Sequence, residues 1–334
     1  VFYPDDGVCN IQRLQMVTQR GDNTCVVGVK GNFDDCQRNV KIMFNDPDLA
    51  ILMRENHMQF SSANSINIGR LVPQIVYYVW SYLQLVKFGE IKAGDKINFT
   101  VPTGNFGNIL AGYYAKLMGL PVNKLICASN DNTVLFDFFE TGTYDKNREF
   151  ILTVSPSMDI LVSSNLERLI YRITGEDEAK NREFMKSLQT EGKYTITAEM
   201  KEKLSDFETG FTTEAEDLEI IRKYYEEEQY VMDTHTGVAA AVYENYKKRT
   251  GDDTPTVIVS TASPFKFLRA VVKATDPEHA DRLSEYDMIY RIDEMRDKQG
   301  IPQAIKDILA LPIKHKTVCE ACAMEDEVKK FLCI

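Results

Sequence analysis

The sequence alternates short β-branched runs, glycine-containing turns and apolar-periodic segments, and this alternation constrains the fold more than any other feature. Residues 24–29 (TCVVGV) and 96–101 (KINFTV) are compact apolar runs, and a turn with glycine follows each one. Residues 33–44 and 111–118 then carry apolar side chains at helical spacing. Strand, turn and helix in this repeated order predict an α/β fold with open parallel sheets and helices on both faces.

Composition along the chain suggests how this fold is divided. Further strands are predicted at 124–128 and 256–260, and further helices at 68–88 and 238–246. Between about 164 and 228 the sequence is rich in charged helix formers, and an insertion of solvated amphipathic helices is the simplest interpretation. We predict that residues 1–60 belong to a smaller N-terminal lobe and that residues 61–334 form a large lobe with this insertion.

Overall composition excludes several classes of protein. The 334 residues are 44% hydrophobic, which is enough for a full core. The formal net charge of -11 disfavours a nucleic-acid partner, because such a partner needs clustered Lys and Arg. Since no apolar run of membrane-spanning length and no signal-peptide pattern is visible, we expect a cytoplasmic protein without a membrane partner. The oligomeric state is not indicated.

Cysteine usage predicts free thiols, because the seven cysteines are scattered along a long chain rather than packed into a short one. Near the C-terminus, His315, Cys319 and Cys322 have a spacing compatible with three zinc ligands. No second cysteine pair completes a tetrahedral site, and the segment is also compatible with a helix that packs its thiols against the body. We therefore predict no metal site.

The segment most typical of a functional site is KINFTVPTGNFGN, residues 96–108, in which a buried strand leads through a turn into a helix. The turn consists of Gly104, Asn105, Phe106, Gly107 and Asn108. Unpaired N–H groups at such a junction attract an anion such as phosphate, and glycine lets the backbone approach the ligand. As a bare pattern the turn is also compatible with a plain loop, and it fits neither common nucleotide-binding fingerprint.

Two other polar motifs are candidate binding sites. Asn64, Ser65, Asn67 and Arg70 stand just before or within the first turns of a predicted helix, and their side chains suit a phosphate or carboxylate. A capping cluster with Arg70 in solvent is the alternative for this set. His235, within the sequence DTHTG, either binds substrate or caps the helix that follows it.

The segment VPTGNFGNILAGYYAKLMGLPV resembles the phosphate-binding segment of threonine synthases of the fungal and proteobacterial kind, which are fold-type II, tryptophan-synthase-like pyridoxal-phosphate enzymes. Other segments resemble this family in the same order: YPDDGVCNIQRLQM (3–16), GNFDDCQRNVK (31–41), SSANSINIGRLVPQ (61–74), SPSMDI (155–160), DTHTGVA (233–239) and STASPFKF (260–267). Several motifs in one order across almost the whole chain are more specific than any one motif alone.

The resemblance implies a lyase that uses pyridoxal 5′-phosphate to convert O-phospho-L-homoserine and water to L-threonine and phosphate. It implies that Gly104 to Asn108 hold the cofactor phosphate and that Thr261 places its hydroxyl at the pyridine nitrogen, although a helix cap is the alternative for Thr261. For the motif around Arg70, the family context favours substrate binding over capping.

One departure from the family concerns the catalytic lysine. In the family, the lysine that forms an imine with the cofactor lies in a Phe-Lys-Asp-type motif upstream of the VFYP segment, and this chain begins at that segment. We therefore expect an N-terminally truncated chain that is inactive by itself, because the lysine also carries protons. By the same resemblance, Lys266 is not the imine-forming lysine.

Two alternative functions stay open at this point. A noncatalytic, threonine synthase-like protein would keep the phosphate-binding turn and lack the lysine. Another lyase of the same cofactor group, such as a hydroxy amino acid dehydratase, is the alternative among enzymes. The motif around Arg70 argues against the dehydratase, because a dehydratase has no substrate phosphate to hold.

Overall fold

The computed structural model describes residues 1–61 and 64–334, without the side chains of Phe33, Asp34 and Gln37. The chain forms two compact units. Unit 1 contains Val1–Ser61 and Ser284–Ile334, and unit 2 contains the described residues up to Leu283. The sequence analysis placed a boundary near residue 60 but assigned the C-terminal residues to the large lobe, whereas the structure groups them with the N-terminal segment.

The elements are numbered along the chain. The strands are β1 (Phe2–Pro4), β2 (Val27–Lys30), β3 (Ile97–Pro102), β4 (Val122–Ser129), β5 (Thr143–Asp145), β6 (Lys193–Thr195), β7 (Phe207–Phe211), β8 (Thr256–Ile258) and β9 (Val318–Glu320). The helices are α1 (Asn10–Val17), α2 (Phe33–Asn45), α3 (Pro47–Glu55), α4 (Ile68–Leu71), α5 (Ile75–Phe88), α6 (Gly107–Leu117), α7 (Val134–Thr141), α8 (Leu166–Ile173), α9 (Glu178–Thr190), α10 (Ala198–Glu202), α11 (Glu214–Glu228), α12 (Thr234–Thr250), α13 (Leu268–Thr275), α14 (Pro277–Ala280), α15 (Glu285–Met295), α16 (Gln303–Ala310) and α17 (Met324–Leu332). Short 3-10 turns cover Val72–Gln74, Pro156–Met158, Pro264–Lys266 and Ala321–Ala323.

Unit 1 contains a parallel sheet in the order β1-β2-β9. The strand β9 forms in a segment whose sequence is also compatible with a helix. A strand is stabilised there because its pairing with β2 places Cys319 in a core with Val29 and Cys36. Cys322 is exposed, and within the described part of the chain no three potential metal ligands lie together. No helix in that part is both long enough and apolar enough to cross a membrane.

Unit 2 is built on a parallel sheet in the order β7-β4-β3-β8. Successive side chains of β4 point to opposite faces, so each face has its own core. Leu125 and Cys127 pack with residues of α5 and α6, whereas Ile126 and Ala128 pack with residues of α12. The predicted α/β fold with parallel sheets and helices on both faces is confirmed.

The charged region at 164–228 differs from the predicted insertion of solvated helices. Its first helix, α8, buries Leu169 and Ile170 completely. The region also contributes β7, which pairs with β4 and forms one edge of the central sheet. Such a short strand between charged helices has little local signal, because its position depends on the edge that β4 offers.

Proline and glycine adjust the predicted helix ends around the central sheet. The expected helix at 68–88 is divided into α4, a 3-10 turn and α5, because Pro73 has no N–H group to continue the helical ladder. The helix predicted at 111–118 begins earlier, at Gly107, directly after the glycine-containing turn. The N–H groups of the first helical turn therefore lie at the end of β3.

The helix α11 buries an aspartate against α12. Asp217 is 1% exposed, and neither of its carboxyl oxygens has a hydrogen-bond partner among the described residues. It lies against Gly237, where any β-carbon would collide with its Oδ1. The pKa of Asp217 is raised to about 8. Burial is the largest cause, and repulsion from the carboxylates of Asp233, Glu214 and Asp131 adds to it.

We expect the substitution Asp217→Asn to remove a pH dependence of folding stability. The folded chain keeps the Asp217 proton up to about pH 8, whereas the unfolded chain loses it at roughly pH 4. Between these values the wild-type free energy of unfolding falls by at most about 1.4 kcal/mol per pH unit, and the asparagine variant lacks this fall. Chemical denaturation at the acidic and alkaline ends of that window measures the difference.

The control for this prediction is Asp253→Asn, since the Asp253 side chain is 90% exposed and its substitution leaves the pH slope of wild type in place. Equal slopes for wild type and Asp217→Asn would show that Asp217 does not hold a proton in the folded state.

Candidate functional site

A cavity of about 930 Å³ lies in unit 2, beyond the carboxyl ends of β3 and β8, the usual position of ligands in parallel sheets. It is lined by residues 102–109, residues 257–261, Ser157, Asn64, Ser65, Gly69, Arg70, Pro73, Gln74, Tyr77 and Ser81. The structure therefore brings together the turn at 104–108, Thr261, Asn64, Ser65 and Arg70. The predicted residues Asn67 and His235 do not line it.

The charge of the cavity wall favours an anion. Among the described residues that line the cavity, Arg70 carries the only ionised side chain, and no carboxylate is present. The cavity wall therefore carries a local positive charge although the chain as a whole has a net charge of -11.

The turn at 104–108, which we call the phosphate cup, directs its carbonyl groups away from the cavity. Gly104 O accepts a hydrogen bond from Ser163 Oγ at 2.7 Å. Asn105 O accepts from Asn165 Nδ2 at 2.9 Å and from Asn165 N–H at 3.1 Å. Because C=O and N–H of one peptide plane point in opposite directions, the N–H groups of Asn105 and Phe106 face the other side.

The N–H groups of the phosphate cup are available to a ligand. In the described ranges, no protein acceptor pairs with the N–H groups of Asn105, Phe106, Gly107 or Asn108. Gly107 and Asn108 belong to the first turn of α6, whose N–H groups have no intrahelical partner. These amides and the positive end of the helix dipole suit a phosphate.

Phe106 has a left-handed backbone with φ of 63°, which is uncommon for a residue with a side chain. Such a conformation costs about 1–3 kcal/mol, and here tertiary packing supports it. The Phe106 ring is buried, with its centroid 6.1 Å from that of Phe139 and 5.9 Å from that of Phe207. A left-handed residue next to a right-handed one lets successive N–H groups converge on one anion.

The two glycines of the phosphate cup are required because atoms of other segments lie too close for a β-carbon, and not because their backbone has a positive φ. A β-carbon at Gly104 would lie 2.5 Å from Ser157 O. A β-carbon at Gly107 would lie 2.6 Å from Ser65 Cβ and 2.7 Å from Ser65 Oγ. The glycines therefore allow two other cavity segments to pack directly against the phosphate cup.

The motif around Arg70 is divided between a helix cap and the cavity wall. Asn67 caps α4, since its Oδ1 accepts a hydrogen bond from Gly69 N–H at 3.0 Å. Gln74 Nε2 donates to Ser65 Oγ at 2.9 Å and to Arg70 O at 2.8 Å. Asn64, Ser65 and Arg70 reach the cavity wall. Ser62 and Ala63 of the same motif lie outside the described residues.

Sequence analysis missed a brace that joins this motif to the phosphate cup. Arg168 of α8 donates to Ser65 O at 3.2 Å, to Ile66 O at 2.7 Å and to Asn165 Oδ1. Asn165 is completely buried and holds Asn105 O, as described above. The only sequence signal for this brace is that two polar residues, Asn165 and Arg168, stand at the start of a helix whose other residues follow an apolar-periodic pattern.

His235 supports the cavity wall from behind. It is 3% exposed, and its Nε2 accepts a hydrogen bond from Ser157 N–H at 3.1 Å, which leaves the proton on Nδ1 towards Asp233. Asp233, rather than His235, caps α12. Burial alone would raise the pKa of Asp233, but hydrogen bonds from His235 and Thr236 outweigh burial and lower the pKa below its ordinary value.

The segment after β8 completes the cavity. Thr261 and Ser260 both line it, and Ser260 Oγ lies 3.2 Å from Thr236 Oγ1 of the α12 N-terminus. Lys266 does not line the cavity, and its Nζ lies 5.3 Å from the centroid of the Phe267 ring. The structure thus gives Lys266 no place among the residues of the cavity wall.

We expect Gly107→Ala to destabilise unit 2 and to reduce anion binding, because its methyl group would overlap Ser65. Overpacking of this kind costs roughly 1–3 kcal/mol. The double variant Gly107→Ala with Ser65→Gly removes the overlapping Cβ and Oγ, so it recovers most of the lost stability. Urea denaturation of the wild type and both variants measures the effect, and a double variant as unstable as the single one would contradict it.

We expect Arg168→Gln to lower the free energy of unfolding by roughly 1–3 kcal/mol, because the carbonyls of Ser65 and Ile66 lose their charged donor. Hydrogen exchange of residues 64–74 should accelerate in the same variant. The matched control is Arg172→Gln, one turn later in α8, since Arg172 is exposed and pairs with Glu176 on the surface. Equal effects of the two substitutions would argue against the brace.

Comparison with known proteins shows which family this chain is similar to. The family described as threonine synthase, C-terminal, matches residues 236–332. Human threonine synthase-like 1 is 38% identical over 335 residues, which cover 99% of this chain and 43% of the human protein.

Solved structures give the same result. The PLP-bound threonine synthase from Brucella melitensis matches with a TM-score of 0.82 and 33% identity. Threonine synthase from yeast matches with a TM-score of 0.83 and 32% identity. Each match covers 99% of this chain and 64% of the other one, so this chain spans less than two thirds of the relatives' length. Over nearly all of its own length, the chain is a homologue of the threonine synthases.

Proposed function

We propose that this protein is a threonine synthase that binds pyridoxal 5′-phosphate and, as a whole enzyme, converts O-phospho-L-homoserine and water to L-threonine and phosphate. The observation that carries the proposal is a single cavity in which the phosphate cup and Arg70 stand together without a carboxylate. Such a reaction needs sites for two phosphates, one on the cofactor and one on the substrate. The printed description of the Brucella melitensis enzyme as PLP-bound supports the choice of cofactor.

In this proposal the phosphate cup holds the cofactor phosphate. The fit follows from the amides of residues 105–108, which have no protein acceptor in the described part of the chain, and from two glycines that let Ser157 and Ser65 pack directly against the phosphate cup. Thr261 places its hydroxyl at the pyridine nitrogen, where a neutral group leaves that nitrogen largely uncharged. When bound, the cofactor supplies an electron sink that makes the substrate protons at Cα and Cβ easier to remove.

The residues near α4 bind the substrate. Arg70 is able to make two parallel hydrogen bonds to a phosphate or carboxylate, and Ser65 and Asn64 add a hydroxyl and an amide. A guanidinium at the leaving phosphate also stabilises the charge that develops as the bond to Cγ breaks. His235 has a positioning role, since it holds Ser157 at the wall of the cavity.

The lysine that carries protons is not among the described residues of the cavity wall. We place it in the part of the threonine synthases that this chain does not match. The same observation favours a second candidate function, a noncatalytic threonine synthase-like protein that binds the phosphorylated cofactor without turnover. The name of the human relative, threonine synthase-like 1, suits either candidate.

We expect the chain to bind pyridoxine 5′-phosphate at least about tenfold more tightly than pyridoxine, because several charge-assisted hydrogen bonds depend on the phosphate. Both ligands lack the aldehyde, so surface lysines cannot contribute by forming imines. Calorimetric titration gives the two Kd values, and Gly107→Ala serves as the variant in which the clash with Ser65 distorts the phosphate cup. Equal affinities for the two ligands would exclude the phosphate cup as the cofactor site.

The substrate side of the proposal is tested with Arg70→Gln. With pyridoxine 5′-phosphate present, we expect the variant to bind O-phospho-L-homoserine about tenfold more weakly and to leave L-homoserine binding less affected. The control is Arg249→Gln, because Arg249 pairs with Glu208 and does not line the cavity. Phosphate release by the product of the whole reading frame separates the enzyme from the noncatalytic candidate.

A further inference from the structure

The outer face of α4 and α5 is apolar although it is exposed. This outer face consists of Ile68, Val72, Val76, Trp80 and Leu83, which follow one another at helical spacing and are 53%, 50%, 61%, 62% and 52% exposed. Contiguous apolar surface of this kind marks an interaction site rather than a solvated helix face.

The opposite face of the same segment is the one that packs on unit 2. Leu71, Tyr78 and Tyr82 are buried there, in the core that contains β3 and α6. Lys87 is the only charged residue of α5. A helix with apolar residues on opposite faces is characteristic of the interior of a protein, so the structure leaves the outer face of α5 without its expected cover.

A free strand edge accompanies this surface. On one side β8 pairs with β3, and none of the described strands pairs with its other side. Val257, Ile258 and Val259 are among the residues that line the cavity. An unpaired edge with apolar residues is a template for another strand.

The free edge of β8 and the outer face of α4 and α5 lie beside the same cavity. Tyr77 and Ser81 of α5 line it together with residues 257–259 of the β8 segment. A polypeptide segment with a strand beside β8 and a helix against α5 would satisfy the free edge, bury the outer face and close off part of the cavity from water.

The relatives are longer than the part that this chain matches, and their remaining part is the candidate occupant. The yeast threonine synthase matches 99% of this chain with a TM-score of 0.83, and about a third of the yeast chain has no counterpart here. We propose that the outer face of α4 and α5 and the free edge of β8 together form a docking surface. Its occupant is a strand–helix segment that corresponds to part of that unmatched third.

Trp80 provides a direct readout, because it is the only tryptophan of the chain and is 62% exposed. The probe is the unmatched part of yeast threonine synthase, tagged, co-expressed with this chain and with its tryptophans replaced by phenylalanine. We expect a one-to-one complex in which Trp80 emission moves to shorter wavelength and acrylamide quenching falls.

The matched variants are Val76→Glu and Met118→Glu. Val76 lies on the outer face and is 61% exposed, and Met118 is 76% exposed beyond the end of α6. Because both sites are exposed, both variants are expected to fold, which circular dichroism checks. We expect Val76→Glu to weaken the complex at least about tenfold and Met118→Glu to leave it unchanged.

Two results would overturn the proposal. In the first, Trp80 becomes protected only as the concentration of this chain rises, and Val76→Glu prevents that self-association, so a second copy covers the face. In the second, no complex forms and Trp80 stays fully quenchable. No cofactor is present in these experiments, so their failure and a failure to bind pyridoxine 5′-phosphate are independent results.

Discussion

The candidate site depends on the orientation of two peptide groups. Hydrogen bonds from Ser163 and Asn165 hold the carbonyls of Gly104 and Asn105 on the protein side of the phosphate cup. If these carbonyls pointed into the cavity, their partial negative charge would repel a phosphate. The N–H groups can therefore bind an anion only in the observed orientation. The packed ring of Phe106 keeps the left-handed backbone that this orientation requires.

The first set of donors is the phosphate cup, and the second is the group of side chains around Ser65 and Arg70. The position of the second set depends on the first. Gly107 permits Ser65 to approach the phosphate cup, and Arg168 holds the carbonyls of Ser65 and Ile66 against the Asn165 that also holds the phosphate cup. One polar network, which includes the buried Asn165, therefore fixes both donor sets. This arrangement suits a ligand pair with two anionic groups at a set separation, because rigid elements place donors more accurately than loops do.

Local sequence predicted those parts of the site that lie on one continuous segment. The strand, glycine turn and helix around residues 104–108 follow from apolar runs, glycine placement and the unpaired amides of a helix start. The same local argument marked Asn64, Ser65 and Arg70 as polar groups at another helix start. The parallel α/β fold was predictable for the same reason, since each strand–helix unit carries its own pattern.

Tertiary structure decided which distant segments complete the site. Asn165 and Arg168 act on residues 60 and 103 positions away, so their roles have no local signal. The strands β7 and β9 were missed because their positions depend on the edges offered by β4 and β2. His235 lies behind Ser157 rather than in the cavity for the same kind of reason. The sequence by itself determined the type of fold and the glycine turn between β3 and α6, because these are properties of short segments. Only the packing of remote segments decided which side chains hold that turn and which line the cavity.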